Sequence, residues 1–315
     1  MSKTILFILL GVFFLQVGCE SKNSPTSAGS PSPTYTYPFS FFIGVFNTPG
    51  VGKGEFDYPA QMAVYNKALF VSDGVNSRVM KFDLEGNYLD QGPVPGTSAE
   101  PFGLAIDGNG VVYVADNYND VIHEYDANLD YLGPFSTGAF TLAQVTDLAV
   151  DSSNKLYVLD SANERFLQCS ASGTCSAFTG TGAGVGSLGL PSGIAVDGSG
   201  NVYIGDTNNS RVLKFNAPGF SSAATVVSGG SGTGLVLNPG ALTFDSQGNL
   251  LVTDAIGSGG RIQKFTPSGT YLASLSHPPQ GVLGNGGTYG ICLDPAGDVY
   301  YSDSNREIVD VYKPY

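Results

Sequence analysis

Residues 191–215 read PSGIAVDGSGNVYIGDTNNSRVLKF, and their pattern decides the fold because it recurs along nearly the whole chain. GIAV (193–196) and NVYIG (201–205) are apolar, rich in β-branched and aromatic residues, and separated by Asp197-Gly198-Ser199-Gly200, a hairpin-turn composition. A polar turn, Asp206 to Ser210, precedes RVLKF (211–215), whose alternation suggests a strand with one buried and one wetter face. Three short antiparallel strands cannot bury both faces alone, so the unit requires neighbours like itself.

Those neighbours can be counted. The second strand of each copy ends in aspartate, at Asp73, Asp116, Asp160, Asp206, Asp254 and Asp303. Successive spacings of 43, 44, 46, 48 and 49 residues are those of a propeller or solenoid. A second aspartate lies nine residues earlier in the last five copies, at Asp107, Asp151, Asp197, Asp245 and Asp294, while Tyr65 takes that place in the first. Third strands follow at 78–82, 121–125, 165–169, 211–215, 261–265 and 308–312, and a turn and a variable fourth segment follow the first five. The sixth copy has no fourth strand after it. FSFFIGVF (39–46) is strand-like, has no hairpin partner nearby, and precedes a Gly-rich connector like those that elsewhere follow a fourth strand. It is therefore expected to complete the sixth blade and close the ring, removing the unpaired edges of an open sheet.

The copies resemble NHL repeats, on the Pro-x-Gly-[Ile/Leu]-Ala-[Val/Ile]-Asp start, the Gly-Asn-[Val/Leu]-Tyr-Val-x-Asp centre and the Asn-x-Arg-Val-x-Lys-Phe end. The resemblance covers residues 39–315 and implies an all-β fold, a six-bladed β-propeller of four-stranded antiparallel blades. The chain has no tryptophan, whereas WD40 blades of similar period carry them.

Composition agrees. Of 315 residues, 42% are hydrophobic and 13% charged, which provides for a large core, and 43 glycines suit a chain of many turns. The formal net charge of −13 offers no basic field for a phosphate backbone, so nucleic acid is not expected as a partner.

Residues 1–18 have the layout of a secretory signal peptide: Lys3, an apolar run from Ile5 to Leu15, then Gly18 before Cys19. The run is shorter than a transmembrane helix requires. A small residue before a cysteine resembles the bacterial lipobox, in which the cysteine becomes the lipidated N-terminus. This chain has Leu15 four positions before Cys19 and Gln16 three before, where leucine is usual. Lipidation at Cys19 is the expectation, with ordinary cleavage and secretion as the alternative. The segment 19–38, dense in Ser, Pro and Thr, has the composition of a disordered tether. The expected location is the bacterial cell envelope, lipid-anchored and facing the periplasm or exterior.

No catalytic set emerges from the residues. The repeated aspartates sit at strand ends beside turns, where carboxylates accept bonds from backbone amides. Arg78, Arg165, Arg211 and Arg261 are placed to pair with the second aspartate of their blade; Val121 and Ile308 replace that arginine in blades two and six. His123 and His277 fit no zinc spacing, and neither matches the histidine-bound metal site of peptidylglycine amidating lyase, which shares the NHL-type propeller. His123 is expected at the surface or half-buried. Asp126 to Asp130 imitates the start of a calcium loop but lacks its glycine and closing glutamate, so a hairpin turn is expected. No cofactor is expected. Cys169 and Cys175 flank a turn and are candidates for a cross-hairpin disulfide; Cys292 reads as a buried free thiol.

Because a feature shared by every blade cannot locate one site, the informative positions are those where the copies disagree. At the start of the first strands, Gln61, Phe102, Asp147 and Tyr289 break a rule of small residues. They are candidates for a shallow recognition patch at the channel mouth, or for a plug or rim of the channel. The expected role is a binding or scaffold propeller, most simply a monomer, whose partner is a protein or a small ligand, with carbohydrate among the candidates. The alternative is an exported enzyme acting at the channel mouth, similar to propeller lactonases or lyases.

Overall fold

The computed structural model describes residues 40–42, 50–182, 184–256, 259–276, 290–304 and 306–313. The segments 1–18 and 19–38, Cys19, His277 and Tyr289 lie outside the described residues. Within them the chain forms six four-stranded antiparallel sheets. Each of the first five sheets is a meander of consecutive strands. The sixth takes three strands from the C-terminal region and its fourth from Ser40–Phe42, which pairs with Val311 to Lys313. The ring is thus closed by an N-terminal strand, as the displaced segment at 39–46 implied.

The first strands are Pro59–Tyr65, Pro101–Ile106, Val145–Val150, Gly193–Val196, Pro239–Phe244 and Ile291–Leu293. Their repeated turns have one chemistry. In each of Asp107, Asp151, Asp197, Asp245 and Asp294, Oδ1 accepts the backbone N–H groups two and four residues later, at 2.8–3.0 Å. The carboxylate thereby stands in for the backbone acceptors that a tight turn lacks. The Asp126 segment is the same kind of turn, with Asp126 Oδ1 accepting from Asn128 and Asp130. In the first blade Asn66 and Lys67 turn the chain instead, both at positive φ.

The second aspartates are buried and bind the connector that enters their blade. Asp73, Asp116, Asp160 and Asp206 each accept a backbone N–H from 16 or 17 residues upstream, and an asparagine three residues downstream donates to each. The anticipated arginine pairs form at 2.8 Å (Arg78–Asp73), 2.7 Å (Arg165–Asp160), 2.6 Å (Arg211–Asp206) and 2.8 Å (Arg261–Asp254). Blade two uses His123, whose Nε2 faces Asp116 Oδ2 at 3.8 Å and whose Nδ1 lies 3.1 Å from the Tyr131 hydroxyl. His123 is therefore buried, 5% exposed, and corrects the expectation of a surface or half-buried residue. Burial alone would raise the Asp116 carboxyl, but the neighbouring His123 ring and the Asn119 and backbone donors outweigh it and hold the group at about 2. In blade six Arg306, three residues after Asp303, stands 3.7 Å from its carboxylate.

The apolar cores lie between blades rather than within them, because strand side chains alternate between the two faces of each sheet. Tyr157, Leu159 and Phe166 of blade three pack with Ile194, Ile204, Leu213 and Phe215 of blade four. Phe166 sits 5.2 Å from Phe178 and 5.1 Å from Phe215, centroid to centroid. A fully buried ring of this kind contributes roughly 1.5–3 kcal/mol, so neighbouring blades stabilise each other. A disulfide joins Cys169 and Cys175, which stand opposite each other in the third and fourth strands of blade three.

Candidate channel mouth

Free edges of the six first strands face a central channel of about 300 Å³, lined by successive residues of every first strand. At the end where those strands begin, four of them carry a register shift: between Pro59 and Met62, Pro101 and Leu104, Val145 and Asp147, and Pro239 and Leu242. A bulge releases a residue from its ladder and re-aims it. The residues released include Gln61, Phe102 and Thr146, whereas Asp147 keeps Leu159 as its ladder partner.

Ala60, Gln61, Phe102, Thr146, Ser192, Ala241 and Gly290 line a shallow depression at this mouth. Beneath it Gln61 Nε2 donates to Asp147 Oδ1 at 2.9 Å. Asp147 also accepts the backbone N–H of Leu148 on Oδ1 (2.8 Å) and of Ile194 on Oδ2 (3.0 Å). Gln61 Oε1 accepts from the N–H groups of Met62 (3.2 Å) and Ile291 (3.1 Å). Two side chains from blades one and three therefore satisfy strand-edge donors in blades one, three, four and six. Burial pushes the Asp147 carboxyl up to about 7, against the opposing pull of Gln61, Ile194 and Leu148.

The plug depends on an alternation inside the sixfold repeat. At this level blades one, three and five carry Gln61, Asp147 and Ala241, while blades two, four and six carry Gly103, Gly193 and Gly290. A Cβ on Gly103 would stand 2.8 Å from Asp147 Cα, one on Gly290 2.8 Å from Gln61 Cα, and one on Gly193 2.9 Å from Ala241 Cα. Each glycine lets the next blade's backbone approach. Hydroxyls clasp consecutive blades here: Ser161 Oγ donates to Pro191 O (2.6 Å), Thr207 Oγ1 to Pro239 O (2.8 Å) and Ser302 Oγ to Ala60 O (2.6 Å). The last clasp joins blade six to blade one.

Of the four positions singled out by sequence, Gln61 and Asp147 are directly bonded and Phe102 lines the same depression, its ring 6.3 Å from that of Tyr58. Sequence reasoning did not single out Ser302 or the alternating glycines; the glycine spacing of roughly two repeats was the available signal. Cys292 also lines the channel, buried, its thiol pushed up by burial and by Asp294, away from the thiolate a nucleophile requires. Among the described residues, no three His, Cys, Asp or Glu side chains come together as a metal-holding group.

Residues 188–215 match the family model of the NHL repeat. No match to a curated protein was found. Solved structures share the fold at low identity. Virginiamycin B lyase from Staphylococcus aureus is 12% identical, with a TM-score of 0.58 over 80% of this chain and 79% of that one. A gluconolactonase from Xanthomonas campestris is 15% identical, with a TM-score of 0.65 over 93% and 99%. A protein of unknown function from Bacteroides thetaiotaomicron is 18% identical, with a TM-score of 0.64 over 83% and 70%. The stretch that opened the reading is thus an NHL repeat set in a six-bladed β-propeller.

Proposed function

We propose that the protein is a membrane-tethered propeller of the bacterial cell envelope that binds a partner on its mouth face. The observation that carries this reading is the plug. Gln61 and Asp147 are committed to each other and to backbone donors, so the mouth offers a surface rather than a set of free reactive groups. Around it, in the connectors and second-to-third-strand loops of the same face, Val51 (80%), Val75 (61%), Tyr118 (64%) and Leu190 (51%) are exposed. Apolar side chains grouped at one face mark interaction surfaces. The signal-like segment 1–18, Cys19 and the Ser/Pro/Thr-rich segment to residue 38 support export and tethering. Purification from native envelopes tests the reading: wild type should retain a partner that a Phe102→Ala, Tyr118→Ala variant releases. Equal retention would count against the mouth face.

A second reading, an exported lactonase- or lyase-like enzyme, is favoured by one feature. Asp147 is a buried carboxyl bonded to the channel-lining Gln61 and pushed up to about 7 by burial, a property frequent at catalytic sites. Among similar folds are a lyase and a gluconolactonase. Turnover of a sugar lactone or a streptogramin by purified protein, abolished by Asp147→Asn, would establish it in place of the first.

A further inference from the structure

We infer that the channel beneath the Gln61–Asp147 pair binds a small primary amine as its ammonium ion, at a site separate from the mouth-face docking surface. Each first strand pairs with its second strand on one side only, so alternate residues turn their N–H and C=O groups toward the channel. The register identifies them. Asp107, Asp151, Asp197, Asp245 and Asp294 each donate to the carbonyl four residues on, at the start of the second strand, and in blade one Tyr65 pairs with Ala68 across the turn. Residues one and three positions before each of these therefore face the channel. Nearer the mouth they form a tier of Met62, Leu104, Leu148, Ile194, Leu242 and Ile291, and a second tier lies two residues further along each strand.

Donors and acceptors in these tiers are unequally satisfied. Of the twelve channel-facing N–H groups, four in the mouth tier are taken, those of Met62 and Ile291 by Gln61 and those of Leu148 and Ile194 by Asp147. Among the described residues, no donor reaches any of the matching carbonyls. The channel thus keeps more acceptors than donors, and buried peptide groups require partners. An ammonium group brings three N–H donors and no acceptor. Charge favours the same guest. The Asp147 carboxyl accepts channel-facing N–H groups at the mouth end, and Asp107, Asp151, Asp197, Asp245 and Asp294 follow directly on the second tier at the other. Lys214 and Lys264 pair with Asp197 and Asp245, whereas among the described residues no lysine or arginine pairs with Asp107, Asp151 or Asp294. An acidic rim of this kind concentrates cations. Entry is from that rim, because the mouth tier is buried and the second tier half-buried. The depression at the mouth has about 10 Å³, room for at most a single water. The 300 Å³ of the channel corresponds to about ten waters, and so to an amine of about that many heavy atoms or fewer.

The test uses the full chain and three probes of similar size: n-butylammonium; tetramethylammonium, which carries the same charge without an N–H; and butyrate. At pH 8 the Asp147 carboxyl, pushed up to about 7 by burial, is largely ionised. Titration followed by saturation-transfer NMR should show n-butylammonium binding at least about tenfold tighter than tetramethylammonium, whose methyl groups leave the carbonyls unpaired. Butyrate should not bind. Asp147→Asn should weaken n-butylammonium by about tenfold, the effect on a cation of losing an opposite charge nearby. A crystal structure of the wild-type complex tests the location without relying on the variant, and should place the nitrogen among the carbonyls of the two tiers. No binding of n-butylammonium, equal binding of tetramethylammonium or butyrate, or a nitrogen outside the channel overturns the inference. So does an affinity unchanged in folded Asp147→Asn.

Discussion

Gln61 and Asp147 stand 86 positions apart in the chain and two blades apart in the ring, yet they share a hydrogen bond of 2.9 Å at the channel mouth. Blade two, between them, makes this possible by carrying Gly103, whose missing side chain leaves room for the Asp147 backbone. The pair is a structural tie between blades one and three at the channel mouth.

Asp147 makes stability depend on pH with a definite sign. Its carboxyl is raised from 3.8 to about 7 by burial, so between these values the folded chain holds a proton that the unfolded chain has released. Its contribution is fully present below 3.8 and is lost as pH rises through 7, a change of up to about 4 kcal/mol. Denaturant unfolding of wild type and Asp147→Asn at pH 4 and pH 8 checks this: the difference between the two proteins should change across the interval. A constant difference would contradict the raised value.

Gly103→Ala should destabilise the propeller by about 1–3 kcal/mol, because the new methyl meets the Asp147 backbone and neither strand can yield freely. Gly198→Ala, where a Cβ meets nothing within 4 Å, should change stability by no more than about 0.5 kcal/mol. Thermal melts of both variants compare the two positions.

Ser302→Ala removes the clasp across the ring closure, leaving Ala60 O without this donor and the Gly290 N–H, which donates to Ser302 Oγ at 2.8 Å, without its acceptor. A loss of about 1–3 kcal/mol is expected for stranding such buried groups. Hydrogen exchange should quicken in blades six and one before the others.

Replacing both Cys169 and Cys175 by serine opens a cross-link spanning six positions. A closed loop this small restricts the unfolded chain by about 2 kcal/mol in the chain-entropy account. The unfolding free energy extrapolated from denaturant titration should fall by that amount, with a lower midpoint, and reductant should lower the wild type alone.

Much of this was legible because it repeats. Six copies of one aspartate, five of another and four arginines announce ties that each blade makes within itself, over short sequence separations where spacing is informative. The plug was only half legible. Gln61 and Asp147 stood out against small residues, but their meeting depends on bulges at Pro59–Met62 and Val145–Asp147 and on curvature around the ring, which no local pattern encodes. His123 misled for a related reason: a histidine in an alternating strand reads as surface, whereas the buried Asp116 of a blade lacking its arginine recruits it. The Ser302 clasp joins residues 242 positions apart, in blades that become neighbours only on closure.

The central claim is that a partner docks on the mouth face, and a photocrosslinking residue substituted for Phe102 in the full-length protein within native envelopes tests it most directly. The account predicts a discrete adduct from this position and none from the same crosslinker placed at Asn128 on the opposite face. Adducts from Asn128 alone, or none from Phe102 while the protein remains folded and tethered, would contradict it.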